Sequence, residues 1–173
     1  MLKILCSPIR DLSGSETVYA ILEYAMKREI GGVLPEIKKT PAGKPFFPDM
    51  QDVHFSLSHT RTHVLCAISS EPVGVDIESE RQISEKTIRF FSTPEELSFF
   101  DPLDLWVLKE SYIKLVGGRL ILVKSISFSY ENCSILTPDK VALSQLYRIE
   151  NCRAAVSSYR NPPPDSVEFV PNS

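Results

Sequence analysis

An α+β fold is predicted for this sequence, and two observations predict it. The order of elements is strand, helix, strands, then helices, then strands, so helices and strands are segregated along the chain. The strand-like runs are short, alternate with period two and follow one another closely enough to pair as antiparallel sheets. Each half holds a helix followed by strands, which predicts two similar lobes. The expected division is residues 1–72 for an N-terminal lobe, 73–160 for a C-terminal lobe and 161–173 for an extended tail.

The opening run, Met1-Leu2-Lys3-Ile4-Leu5-Cys6-Ser7-Pro8, is apolar but is cut short by proline. It predicts a strand over 2–6 and is too short for the apolar region of a signal peptide. Ser13-Gly14-Ser15-Glu16 offers a capping box. After it, Val18, Ile21, Leu22, Ala25 and Met26 recur with a 3.6-residue period, which predicts an amphipathic helix ended by Gly31-Gly32. Thr40-Pro41-Ala42-Gly43-Lys44-Pro45 is a loop in which prolines restrict the backbone near a lysine. Val53–Ser58, His63–Ser69 and Val73–Glu78 alternate like strands and predict an antiparallel meander.

The middle of the chain reads as helical. Ser84 is expected to cap a helix through Phe90, and Thr93-Pro94-Glu95-Glu96 supplies an N-cap with proline in the first turn. Asp104 is expected to cap a third helix that runs to Val116 and stops at Gly117-Gly118. Strands are predicted at Ser125–Tyr130, Ser134–Leu136, Gln145–Ile149 and Arg153–Ser158. The Asn161-Pro162-Pro163-Pro164 tail is expected to be extended and poorly packed.

With 173 residues, 43 % hydrophobic and 24 % charged, the chain has the make-up of a soluble globular protein. A formal net charge of −3 gives no basis for wholesale nucleic-acid binding, so an anionic ligand would need a local basic cluster. No stretch approaches the roughly 20 apolar residues of a membrane span. Cys6, Cys66, Cys133 and Cys152 are scattered without metal-site spacing, which suits free thiols in a reducing cytoplasm.

Asp76 and Glu78 stand two residues apart on a predicted strand, so both carboxylates leave the same face. Burying that face without a counter-charge is costly, because the two acids repel and lose hydration. A cation is one solution and solvent is the other. On the predicted helix, Glu110 and Lys114 lie one turn apart on one side. Ser58-His59-Thr60-Arg61 places polar and basic groups at a strand end. Each piece alone is equally at home on an ordinary solvated surface. Together, Asp76, Glu78 and Glu110 make an oxygen set suited to one Mg²⁺. With Lys44, His59, Arg61, Lys109 and Lys114 nearby, the set would clamp a pyrophosphate.

The ordered motifs Gly43-Lys44-Pro45, Phe55-Ser56-Leu57-Ser58-His59, Gly74-Val75-Asp76-Ile77-Glu78, Arg89-Phe90-Phe91-Ser92 and Trp106-Val107-Leu108-Lys109-Glu110-Ser111-Tyr112-Ile113-Lys114 resemble the 4′-phosphopantetheinyl transferase superfamily. The likeness is to its monomeric, two-lobed type, which activates peptide and polyketide synthases. It implies two α+β lobes in pseudo-two-fold relation with coenzyme A in the cleft between them. It also implies transfer of the 4′-phosphopantetheine arm of coenzyme A to a serine of an acyl or peptidyl carrier protein, with release of 3′,5′-ADP. By the same resemblance Asp76, Glu78 and Glu110 bind Mg²⁺, and Glu110 takes the serine proton, directly or through a water. Lys114 contacts the phosphates with Lys109 beside it. Lys44 and Pro45 touch the adenosine end, and Ser58 and His59, with Thr60 and Arg61 following, lie near the 3′-phosphate. The chain departs from the family pattern in its first helix and following loop, where the basic residues are Lys27, Arg28, Lys38 and Lys39. A cytoplasmic monomer is expected, with no nucleic-acid or membrane partner. Two other readings are a coenzyme A- or carrier-binding module without catalysis, and a structural α+β protein.

Overall fold

In the computed structural model, which describes residues 1–9 and 14–170, the layers stack in the order helix, sheet, sheet, helix. The chain begins with β1 (Leu2–Pro8), α1 (Gly14–Glu29), and the short pair β2 (Lys38–Lys39) and β3 (Pro45–Phe46). It continues with β4 (His54–His59), β5 (His63–Ser69) and β6 (Val73–Ser79), then α2 (Glu85–Phe91), α3 (Pro94–Phe99) and α4 (Pro102–Val116). A 3₁₀ turn at Leu120–Lys124 leads to β7 (Ser129–Glu131), β8 (Ser134–Leu136), β9 (Leu143–Ile149), β10 (Cys152–Ser158) and β11 (Glu168–Phe169). The α+β class predicted from the sequence is the class observed. Ser13, the expected cap of α1, lies outside the described residues.

Strand alternation builds the layers. In β1, Ile4 and Cys6 face the second sheet while Leu5 faces α1. In β5, Leu65 and Ala67 point inward while Val64, Cys66 and Ile68 meet the buried α1 stripe of Val18, Ile21, Leu22, Ala25 and Met26. The first sheet has the order β11-β1-β5-β4. The second, β6-β10-β9, turns Val73, Val75, Ile77, Ala154 and Val156 toward the first. Its opposite face, with Ala155 and Leu146, packs on α4. Each fully buried aliphatic or aromatic side chain in these layers contributes about 1.5–3 kcal/mol.

Four expectations are corrected. β6 does not extend a meander with β4 and β5. It pairs antiparallel with β10, from Val73↔Ser158 to Ser79↔Cys152, and meets β4 through side chains. A period-two pattern marks a strand without choosing its neighbour. The cap of α4 is Asp101, whose side chain accepts from Leu103 N at 2.9 Å with Pro102 in the first turn. Asp104 instead lies inside the helix, buried, in a two-bond pair with Arg148. Only the end of the predicted Ser125–Tyr130 strand forms one, after the 3₁₀ turn. The tail is not loosely packed. Tyr147 donates its hydroxyl to Pro164 O at 2.6 Å, β11 pairs parallel with β1, and Val170 is buried in the α1 core. Arg28 on α1 pairs with Glu168 of that last strand.

Gly74 sets the distance between β6 and α4. A Cβ there would lie 2.0 Å from Ser111 O and 2.4 Å from Leu115 N, both backbone atoms that cannot swing aside. The helix therefore lies main chain against main chain on the strand that carries Asp76. Gly74→Ala is expected to destabilise by about 3 kcal/mol, the upper end of ordinary overpacking, because the whole helix must retreat. The urea midpoint measures this, and an unchanged midpoint would contradict the close approach.

Candidate active site

Asp76 and Glu78 leave β6 on the side covered by α4, the side that Gly74 holds close. α4 lays Glu110 and Lys114, one turn apart, over the same region. Lys114 Nζ donates to Asp76 Oδ1 at 2.8 Å. Ser58 Oγ, from the adjoining β4, donates to the same oxygen at 2.8 Å. Two residues earlier, the Ser56 hydroxyl accepts from Val75 N at 3.0 Å and fastens β4 to β6 at this corner. Three elements distant in sequence thus meet at one buried carboxylate.

The electrostatics of this cluster are unbalanced. Asp76 is buried, and its second oxygen, Oδ2, has no hydrogen-bond partner among the described residues. Glu110 is pushed up to about 7, first by burial, then by the charge of Asp76 and, more weakly, of Glu78, with Lys114 pulling the other way. Glu78 is partly exposed, and its nearest cation is Arg81 at 3.7 Å. A buried carboxylate oxygen without a donor is costly. Asp76 and Glu110 have Lys114 between them and Glu78 reaches only the exposed Arg81, so the cluster remains short of positive charge. The donor set, all carboxylate oxygen, is chemically suited to a hard divalent cation. As the side chains stand, no three His, Cys, Asp or Glu groups among the described residues converge as a formed metal cluster. The residues fit such an ion in type and charge.

Beside the cluster lies a pocket of about 190 Å³ whose lining includes Lys44, Pro45, Ser56, Lys114, Gly117 and Gly118. The Gly43-Lys44-Pro45 loop, β4 and the end of α4 are thereby brought together. Lys44 Nζ donates to Leu115 O at 2.7 Å, and Val73 O stands 3.5 Å away. The ammonium meets the carbonyl end of α4, where a cation complements the helix dipole. Burial pushes Lys44 down to about 8. Gly117 closes the helix in the left-handed conformation, φ 67°, its N–H turned back to Ile113 and Lys114 carbonyls.

Not every expected residue arrives at the site. Ser58 is present, but its proton is committed to Asp76. His59, the last residue of β4, and Arg61, in the turn that follows, are both exposed, and His59 Nδ1 lies 3.2 Å from Thr60 O. The Thr60 hydroxyl is occupied by that turn, accepting from Thr62 N at 3.1 Å and His63 N at 3.0 Å. Lys109 is the clear correction. It is fully buried on the core side of α4, bonded to Glu96 at 2.9 Å and donating to Phe91 O at 2.5 Å and Val123 O at 3.3 Å. It does not face the pocket. Glu96, equally buried, also accepts from Phe128 N and from Thr93 N in the α3 capping box. The residues missed from sequence are Ser56, whose hydroxyl takes a main-chain N–H of β6, and Gly74, whose backbone meets that of α4; neither contact is reported by a residue pattern.

A family model described as the 4′-phosphopantetheinyl transferase superfamily matches residues 72–161, just over half of the chain. That span runs from β6 through α4 to β10 and includes Asp76, Glu78, Glu110 and Lys114. The chain is 41 % identical over 92 residues to the 4′-phosphopantetheinyl transferase Sfp of Bacillus subtilis, covering 46 % of this chain and 40 % of that protein. It is 41 % identical over 102 residues to the 4′-phosphopantetheinyl transferase gsp of Aneurinibacillus migulanus, covering 51 % and 41 %. With psf-1 of Bacillus pumilus the identity is 38 % over 88 residues, covering 43 % and 36 %. The matched stretches thus span about two-fifths of these curated relatives. Since the family match takes in the strand, the helix and the carboxylates that build the site, the chain belongs to the 4′-phosphopantetheinyl transferase superfamily.

Proposed function

We propose that this protein transfers the 4′-phosphopantetheine arm of coenzyme A to a serine hydroxyl of an acyl or peptidyl carrier protein, releasing 3′,5′-ADP. One observation carries the reading. A buried carboxylate held at one oxygen by Ser58 and Lys114, and bare at the other, stands beside Glu110 at the edge of a lysine-lined pocket. Asp76, Glu78 and Glu110 would hold Mg²⁺, which would supply neutralising charge to the pyrophosphate when bound.

The chain's own groups then divide the work. The serine Oγ forms a bond to phosphorus, and the bond to the bridging pyrophosphate oxygen breaks. Glu110 accepts the serine proton. Lys114 steadies the charge that collects on the departing 3′,5′-ADP, and with Lys109 committed to the core this falls to Lys114 without it. The pocket walls from Lys44 to Gly118 orient the donor, so most of the rate enhancement is positioning and electrostatics. A monomer is proposed, in keeping with the monomeric, two-lobed type that the sequence motifs resemble. A cytoplasmic setting is proposed on the free state of Cys6, Cys66, Cys133 and Cys152. No helix among the described residues is long and apolar enough to cross a membrane.

Incubation with coenzyme A, Mg²⁺ and an apo carrier protein is expected to add the mass of the arm to the carrier. Excess chelator is expected to stop the reaction, and added Mg²⁺ to restore it. Binding of coenzyme A with no mass gain on any of several carriers would reduce the protein to a binding module, and full activity in chelator would remove the metal from the scheme.

A further inference from the structure

Immediately after the pocket-lining Gly117 and Gly118, Arg119 leads into the 3₁₀ turn Leu120–Lys124, which carries Ile121, Leu122 and Val123. Val123 is buried and anchors the turn to the α4 core, while Leu120 is 51 % and Ile121 68 % exposed. Val116, at the end of α4, adds to the same apolar strip. A Cβ on Gly118 would touch both Leu122 and Val116, so these side chains are neighbours. At the far end Lys124 Nζ lies 4.0 Å over the exposed ring of Phe90 on α2. A run of exposed aliphatic residues beside a functional pocket marks an interaction surface rather than scattered surface hydrophobics.

The charge around the strip is one-sided. Residues 115–130 contain Arg119 and Lys124 and no acidic residue, while Lys114 just before them is paired with Asp76, although the chain as a whole has a formal net charge of −3. From α2, packed alongside, Lys86 is a further exposed cation, and Arg89 and Glu85 neutralise each other at 2.8 Å. The surface is therefore apolar at its centre and basic at its rim, and it starts beside Gly118 at the pocket wall.

We infer that this strip seats the protein substrate, through an amphipathic helix whose apolar side covers Leu120 and Ile121 and whose flanking acids meet Arg119 and Lys124. The inference rests on the transfer activity proposed above and deepens it by giving the acceptor a footprint. An apolar centre supplies the affinity, and the basic rim supplies register and encounter rate. A docking site next to the pocket also holds the acceptor serine within reach of the donor, which a remote site would not.

The experiment uses the full chain with an apo acyl carrier protein as probe. Ile121→Asp, at an exposed position outside the site, is expected to raise the carrier KM by about tenfold or more, the loss of one buried interface side chain. The KM for coenzyme A is expected to stay within about twofold, since the pocket is untouched. Arg119→Glu is expected to weaken the carrier similarly, and a carrier with one helix acid changed to lysine to recover activity with R119E alone. Unchanged carrier KM in both variants overturns the footprint. So does capture of the parent chain, and not I121D, by vesicles containing anionic phospholipid, which would make the strip a membrane contact. If the parent chain transfers nothing, the activity reading fails. The footprint is then decided by calorimetric titration of apo carrier onto the parent and I121D chains, equal affinities overturning it and a tenfold loss supporting it.

Discussion

Asp76→Asn is expected to lower transfer by at least about a thousandfold while the protein stays folded. The substitution keeps the shape of the side chain and removes its charge. The amide oxygen can still accept from Ser58, so the corner between β4 and β6 survives. What is lost is the bare anionic oxygen and the partner of Lys114. Folding should not suffer, because the change removes a like charge from beside Glu110 and puts a neutral amide where an unpaired anionic oxygen stood. The thermal midpoint is accordingly expected to hold or rise. Calorimetric titration with Mg²⁺ in the presence of coenzyme A should show heat for the parent and none for the variant. Transfer within tenfold of the parent by D76N would remove Asp76 from the centre of the scheme.

Lys109→Met is expected to do the opposite, weakening the fold and sparing the chemistry. Lys109 and Glu96 are a fully buried ion pair that ties α4 to α3, to the last turn of α2 and to the 3₁₀ turn. Removing one partner strands the other charge, at a cost of about 3–5 kcal/mol. For a chain of this size that lowers the thermal midpoint by about 10 °C. Glu96 keeps its bonds from Phe128 N and Thr93 N, so the double variant with Glu96→Gln should recover part of the loss. At a temperature where K109M is folded, its KM for coenzyme A should match the parent. A large rise in that KM with no loss of stability would return Lys109 to the phosphates.

The fate of Lys109 also shows how far the sequence could be read. Glu110 and Lys114 were legible as neighbours on one helical side, and the structure places both at Asp76. Lys109 shares its stripe with Leu105, Leu108, Tyr112 and Ile113, all buried, and that apolar company was the signal for an interior lysine. Its counter-ion, in another helix, carried no such signal. Helix starts followed the same division. Thr93 capped α3 as expected, with Glu96 completing the box. For α4 the deciding residue was Pro102, which belongs in the first turn and so hands the cap to Asp101 rather than Asp104.

Strand positions were clearer than strand partners. β5 and β8 begin and end where their alternation does. The choice between extending the first sheet and opening a second depends on what else can cover β6, and that is β10, more than seventy residues later. Long-range pairing of this kind is set by the burial of whole faces, not by any local pattern. The return of β11 to β1 was hidden for the same reason. The prolines before it restrict the chain, but only the exposed edge of β1 decides where that chain lies down.

The contact at Gly74 has one more consequence. The gap between the carboxylate of the strand and the carboxylate of the helix is gauged by two polypeptide backbones in touch, not by the bulk of the side chains around them. Any side chain at position 74 would reset that gap, because its first carbon would meet the main chain of the helix.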